Sequence, residues 1–427
     1  MDGLGFIYLT KNMTSPAPAI SQGRQQDRGL YFLLFLLVLA IFISAAYILK
    51  DSGMPLAHPM DQSFISTANL RLGRSNGSWI FQYPNIMYSG GISSSLIAGA
   101  YKLIVPTSPE TINWHIRILA MTAYLTSSYL LILKIVRTTP LRALGFLTVA
   151  TSALQFIQPS SELFAGSFLT MFLYAAISRW PFVISSLFLA LFGLSKVEMS
   201  LAAIALALFW WAWEHRRGHQ QAFRAFAYTV LWMVLILIPS FIVRGANPQE
   251  MDRSMVAFIF TYAELFHPHQ FVANSSSVED SVTLLKNGLF KNSSSVFDFI
   301  RNNPTRFYDY LAVSFFKGLE QSVHTFKFML VPLALAVVQP SRRLRPLLVM
   351  LLIGAVLTLV PAWLFAYVRI RYFVKLFPAV IGFSIANTED QQATQRWILP
   401  VTFLCGIGTI IWQLMYFNEM WLHSHWK

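Results

Sequence analysis

Asp61 opens a short run in which Phe64, Ile65, Ala68, Leu70 and Leu72 recur at roughly helical spacing. A helix of that kind lies along a membrane surface and holds its acid at the lipid–water boundary. Partial burial makes a carboxylate a better proton acceptor, which suits Asp61 to general-base work. The plain alternative is a solvated loop acid. Glu162 follows Gln158-Pro159-Ser160-Ser161 at the border of another apolar run. It either orients a polar substrate or opposes the dipole at a helix start. Lys196 and Glu198 separate two apolar runs. They pair as a weak surface salt bridge, or Lys196 faces a lipid phosphate. Arg369, Arg371, Tyr372 and Lys375 cluster at the start of a late apolar run. They serve as interfacial anchors, or as a phosphate site in which the guanidinium forks match phosphate oxygens. His58 and His267-Pro268-His269 fit no metal-ligand spacing, so no metal is assigned to them. No Gly-rich phosphate loop, nucleotide fingerprint or nucleophile elbow occurs.

The elements that must position these groups are membrane helices. The 427 residues are 55% hydrophobic and only 12% charged, about half the charge of a soluble domain. Solid apolar runs of bilayer length recur, which favours helices over the alternating strands of a barrel. The net charge of +13 reads as the loop bias of a membrane protein and an attraction to anionic lipid, not as nucleic-acid binding. The single cysteine, Cys405, allows no internal disulfide.

Arg24 and Arg28 precede a first span over 30–49, read as an uncleaved anchor behind a cytoplasmic tail over 1–29. The expected architecture is an all-α polytopic membrane domain over 30–427. Further spans are predicted at 112–136, 141–158, 163–179, 181–195, 197–213, 225–243, 323–340, 346–366, 371–387 and 396–417, about eleven in all. Loops over 50–111 and 244–322 are placed outside. The Gly- and Ser-rich segment 86–105 decides the topology. If it lies along the outer face as an interfacial helix, Lys134, Arg137, Arg142, Arg179, Arg216, Arg217, Arg342 and Arg343 all fall in cytoplasmic loops, as the positive-inside bias requires. Asp61, Glu162, Glu198 and the basic cluster then share the outer face. Asn12, Asn76, Asn274 and Asn292 head Asn-x-Ser/Thr triplets, read as polar turns. An amphipathic helix over 297–321 is expected to break at Asn303-Pro304.

The order of these features resembles the GT-C superfamily of polyprenyl-phosphate-sugar-dependent glycosyltransferases, which includes protein O-mannosyltransferases and lipid A aminoarabinose transferases. Asp61-Gln62, Phe64, Ala68 to Gly73, Tyr83-Pro84 and 86–105 follow the family's first outer loop. Glu162 falls where the family has its second acid. Leu194-Ser195-Lys196 looks like its Leu-x-Lys turn. Arg371-Tyr372 with Pro378 looks like its late Arg-Tyr pair, and Asn303 to Phe307 is also similar. Gln62 stands where the family has Glu, and Tyr83 where some members have Lys.

The resemblance implies an inverting transfer on the extracytoplasmic face of a bacterial inner membrane. Asp61 is the expected base, and Glu162 orients substrate or helps hold a divalent cation. Lys196, Arg369, Arg371 and Lys375 are expected on the donor phosphate, with His58, Tyr83, Glu198 and Tyr372 contacting substrate. The partners are a polyprenyl-phosphate sugar, a glycan, lipid or protein acceptor, and membrane lipid. Two other readings stay open. One is an O-antigen-ligase-type polysaccharide ligase working through His267, His269 and Arg306. The other is a lipid or sugar transporter, which would have broken helices at mid-membrane.

Overall fold

A computed structural model describes residues 29–44, 71–75, 78–82, single positions between 93 and 105, 109–154, 160–195, 197–243, 253–266, single positions between 288 and 295, 296–365, 370–392 and 394–425. Apart from one β-hairpin and the connections between elements, these residues are helical. The helices are α1 (Gly29–Ser44), α2 (Pro109–Ile135), α3 (Thr139–Leu154), α4 (Ser160–Ile177), α5 (Phe182–Gly193), α6 (Val197–Arg216) and α7 (Phe223–Val243). They continue with α8 (Arg253–Phe266), α9 (Val296–Asn302), α10 (Pro304–Phe326), α11 (Leu330–Val338), α12 (Arg345–Phe365), α13 (Ile370–Val374), α14 (Phe377–Gln391) and α15 (Ile398–His425). Helical backbone lies at each predicted span.

Among the described residues, four helical stretches are long and apolar enough to cross a membrane: Trp114–Ile135, Pro304–Val338, Arg345–Leu364 and Ile398–Tyr416. Shorter apolar helices occupy Gly29–Ser44, Glu162–Ile177, Phe182–Gly193 and Phe223–Ile236.

One expectation fails in the first loop. The amphipathic helix predicted through Leu72 gives way to strand β1 (Arg71–Ser75), paired antiparallel with β2 (Ser78–Gln82), Ser75 opposite Ser78. The two intervening residues are Asn76 and Gly77, the dipeptide that most favours a two-residue hairpin turn. The segment over 86–105 is described at six positions only. Its described positions Ser93, Ile97, Ala100, Tyr101 and Ile104 are helical, and the Val105 N–H donates to the Tyr101 carbonyl at 2.9 Å. Ser93 is buried and bonds to α5, its N–H to the Leu194 carbonyl at 3.3 Å and its hydroxyl to the Leu191 carbonyl at 2.6 Å.

Proline sets several boundaries. The break at Asn303-Pro304 occurs as predicted, with Pro304 opening α10, where its missing N–H costs nothing. A capping box at Ser295 and Asp298 starts α9. Lys327, at a φ of 46°, ends α10 and starts a short 3-10 turn over Lys327–Met329.

Tight turns make neighbouring helices antiparallel, so basic residues collect at one end of the bundle: Lys134, Arg137, Arg142, Arg179, Arg216, Arg217 and Arg343. A clasp closes that end. The Glu389 carboxylate accepts from the N–H groups of Arg137 and Thr138 at 2.7 and 2.6 Å, at the start of α3. Asp390 accepts from Arg343 Nε at 3.0 Å and from the Ser341 hydroxyl at 2.8 Å. The large core lies between α2, α4 and α14, built from Tyr124, Phe172, Phe377, Phe383 and their neighbours. A second, aromatic cluster of Phe258, Tyr262, Phe290, Phe299, Phe307 and Tyr310 binds α8, α9 and α10 together.

Candidate functional site

Pro378 is the starting point. It sits in the first turn of α14, has no N–H to give, and its ring crowds the carbonyl four residues back. That carbonyl belongs to Val374, the last residue of α13. The helix accordingly breaks into a turn at Lys375-Leu376. The freed acceptor is recovered by the Tyr124 hydroxyl of α2, which donates to the Val374 carbonyl at 3.0 Å. Broken helices inside a membrane need such substitute partners.

The break turns Lys375 inward, where its side chain is fully buried. Its Nζ meets Glu162 Oε2 at 2.9 Å, with side-chain exposures of 0% and 2%. The Tyr372 ring lies beneath the same ammonium, 4.8 Å from Nζ to the ring centroid. Glu162 is in the first turn of α4, and Gly166 is one turn further along the same face. A Cβ on Gly166 would stand 2.8 Å from Tyr124 Cε2 and 3.2 Å from Lys375 Cα. Glycine at this position is what lets α4 approach closely enough for the two charges to touch. Phe326 stacks on Phe377 at 5.3 Å and meets Phe373 edge-on at 5.7 Å, sealing the break from the α10 side.

Removing one partner of a pair buried this completely typically costs about 3–5 kcal/mol.

Of the residues singled out from sequence, Glu162, Tyr372 and Lys375 come together here. Glu198 and Arg371 lie on the helical backbone of α6 and α13. His58, Asp61, Tyr83, Lys196, Arg369, His267 and His269 lie outside the described residues. Ser195, the neighbour of Lys196, is buried beside Ser93 at the same end of the bundle as Glu162. Arg306 is exposed at the start of α10. Glu162 and Lys375, assigned separate roles from sequence, are in direct contact. A divalent cation on Glu162 fits poorly too, because an ammonium already occupies the face of its carboxylate. Among the described residues no group of three or more His, Cys, Asp or Glu side chains is placed to hold a metal.

The sequence reading missed Arg117. It is 3% exposed near the start of α2, with its guanidinium 5.6 Å from the Trp114 ring. Its signal was available, as an arginine inside an apolar run is a functional candidate by default. His115, two residues earlier, bonds through Nδ1 to the Tyr101 hydroxyl at 2.7 Å, tying the 93–105 segment to the same end.

No protein-family model matches the chain, and no curated protein matches it significantly.

Proposed function

We propose that the chain is an integral membrane glycosyltransferase. It moves a sugar from a polyprenyl-phosphate donor to an acceptor hydroxyl, with inversion, on the face opposite the basic end of the bundle. About eleven helical segments cross the membrane in this reading, α10–α11 and α13–α14 each counting as one. The basic end faces the cytoplasm, in a bacterial inner membrane. Asp61 takes the proton of the acceptor hydroxyl. The acceptor oxygen bonds to the anomeric carbon while the bond from that carbon to the phosphate oxygen breaks. Polyprenyl phosphate leaves with the electron pair. Arg371, Arg369 and Lys196 meet the charge that develops on the leaving phosphate, the logic of an oxyanion site. His58, Tyr83 and Glu198 contact the sugar or acceptor. Lys375, its charge offset by Glu162, positions that carboxylate and the Tyr372 ring below the donor.

The observation that carries this reading is the Glu162–Lys375 pair. Two of the features that resemble the family, the third-span acid and the late Arg-Tyr…Pro stretch, are far apart in sequence. In space they converge on one buried spot, with Pro378 creating the break and Tyr372 flanking the cation. The test is purified protein in nanodiscs given undecaprenyl-phosphate-linked sugars. Release of undecaprenyl phosphate by wild type but not by Asp61→Asn is expected. Equal release by both would remove Asp61 from the chemistry.

The same helix break favours one competing reading, transport, since interrupted helices carry substrate sites in transporters. Movement of an intact sugar lipid across sealed vesicles, without cleavage of its phosphate ester, would favour transport over transfer.

A further inference from the structure

Lys327 holds a backbone conformation that its side chain disfavours. Its φ of 46° and ψ of −128° are those of the first central residue of a type II′ turn, a place dominated by glycine, asparagine and aspartate. A lysine held there is strained and persists only where its surroundings impose the conformation. The local sequence does not impose it. Lys327 stands between Phe326 and Phe328, and the next proline, Pro332, crowds the Phe328 carbonyl rather than any group of Lys327. Taken without the break, Pro304–Val338 is one apolar stretch of 35 residues.

The contacts that impose the break come from α10 and α15. The Lys327 ammonium lies 3.9 Å from the centroid of the Trp412 ring, a cation–π contact, and donates to His324 Nδ1 at 3.0 Å. Phe328 packs on α15 at Gly408, where a Cβ would stand 2.9 Å from Phe328 Cδ2. On the other side of the break, Phe326 is the ring that stacks on Phe377 and meets Phe373 edge-on. The strained residue therefore joins two things. One is the aromatic seal over the turn at Lys375-Leu376, and the other is the helix that holds the strain in place.

We infer that Lys327 is the latch of a gate over the buried Glu162–Lys375 pair. In the closed state Trp412 and His324 hold Lys327, the α10–α11 helix is broken, and Phe326 covers the turn. In the open state Lys327 leaves Trp412 and takes up helical backbone. Helices α10 and α11 then join, and the accompanying rotation withdraws Phe326 from Phe373 and Phe377. The pair becomes reachable from the α10 side. Relief of strain favours the open state and the latch contacts favour the closed one. Strain of this kind shifts such an equilibrium by about tenfold. The inference concerns access to the pair and does not depend on the proposed transfer.

The test is electron–electron double resonance on the purified full-length chain in nanodiscs. Cys405→Ala removes the native thiol, and spin labels go on Phe316→Cys in α10 and Leu404→Cys in α15, both exposed. Phe316 lies about 16 Å of helix from the break at about 1.5 Å per residue, so joining the helices moves its label by several ångström. Lys327→Ala and Lys327→Gly lose the same latch, but only glycine is at ease in the broken conformation. Lys327→Ala is expected to populate a second distance about tenfold more than the unsubstituted chain, and Lys327→Gly is expected to keep the original distance. Trp412→Leu, which leaves residue 327 intact, should also populate the second distance and lose it again when combined with Lys327→Gly. An unchanged distance distribution in Lys327→Ala or in Trp412→Leu would overturn the inference. So would a second distance in Lys327→Gly, or its persistence in Trp412→Leu/Lys327→Gly, because the strain would then have no part in the opening.

Discussion

Lys375 and Glu162, from opposite halves of the chain, place their charged atoms 2.9 Å apart in the interior of the bundle, both side chains almost fully shielded from solvent. The geometry depends on a proline that breaks a helix, a tyrosine that repairs the lost hydrogen bond, and a glycine that permits close approach.

Removing either charge alone should be worse than removing both. Glu162→Gln and Lys375→Met are each expected to cost about 3–5 kcal/mol, since each removes one partner of the buried pair. The double variant, which removes both charges together, should cost less than either single variant. Chemical denaturation in detergent measures this. By contrast, Lys317→Ala breaks an exposed pair with Glu320 and should change stability by less than about 1 kcal/mol.

Gly166→Ala puts a methyl group against the Tyr124 ring and the Lys375 backbone. Overpacking of this kind costs about 1–3 kcal/mol. The expected result is a lower melting temperature with reduced turnover, because the carboxylate and ammonium are pushed apart. Unchanged stability would mean that α4 is not held this closely.

Tyr124→Phe removes the donor to the Val374 carbonyl and leaves a buried acceptor unsatisfied, at about 1–3 kcal/mol. Pro378→Ala supplies a backbone N–H that can reach the same carbonyl. The double variant Tyr124→Phe/Pro378→Ala should therefore be more stable than Tyr124→Phe alone. A purely additive outcome would show that the hydroxyl has no such role.

Much of the architecture is legible in the sequence because the determinants are local. Apolar runs of bilayer length announce helices, Asn303-Pro304 announces a break, and the loop charges announce which helix ends share a side. Glu162, Tyr372 and Lys375 were recognisable as unusual for the same reason, being polar groups next to apolar runs. Their pairing was not legible. It depends on Gly166 and Tyr124, which in sequence are ordinary members of apolar helices, and on a long-range contact that no spacing encodes. The hairpin at Arg71–Ser75 and Ser78–Gln82 was misread because Leu70 and Leu72 fit a helical repeat, while Asn76-Gly77 carried the stronger, local instruction to turn.

The most direct measurement is the mass spectrum of surface glycans from cells that carry the gene, lack it, or carry Asp61→Asn. The account predicts that one sugar mass disappears from a glycan, lipid or protein when the gene is lost. Wild type should restore it, and Asp61→Asn should not, although the variant reaches the membrane at normal abundance. Identical spectra from all three strains would contradict the proposed transfer.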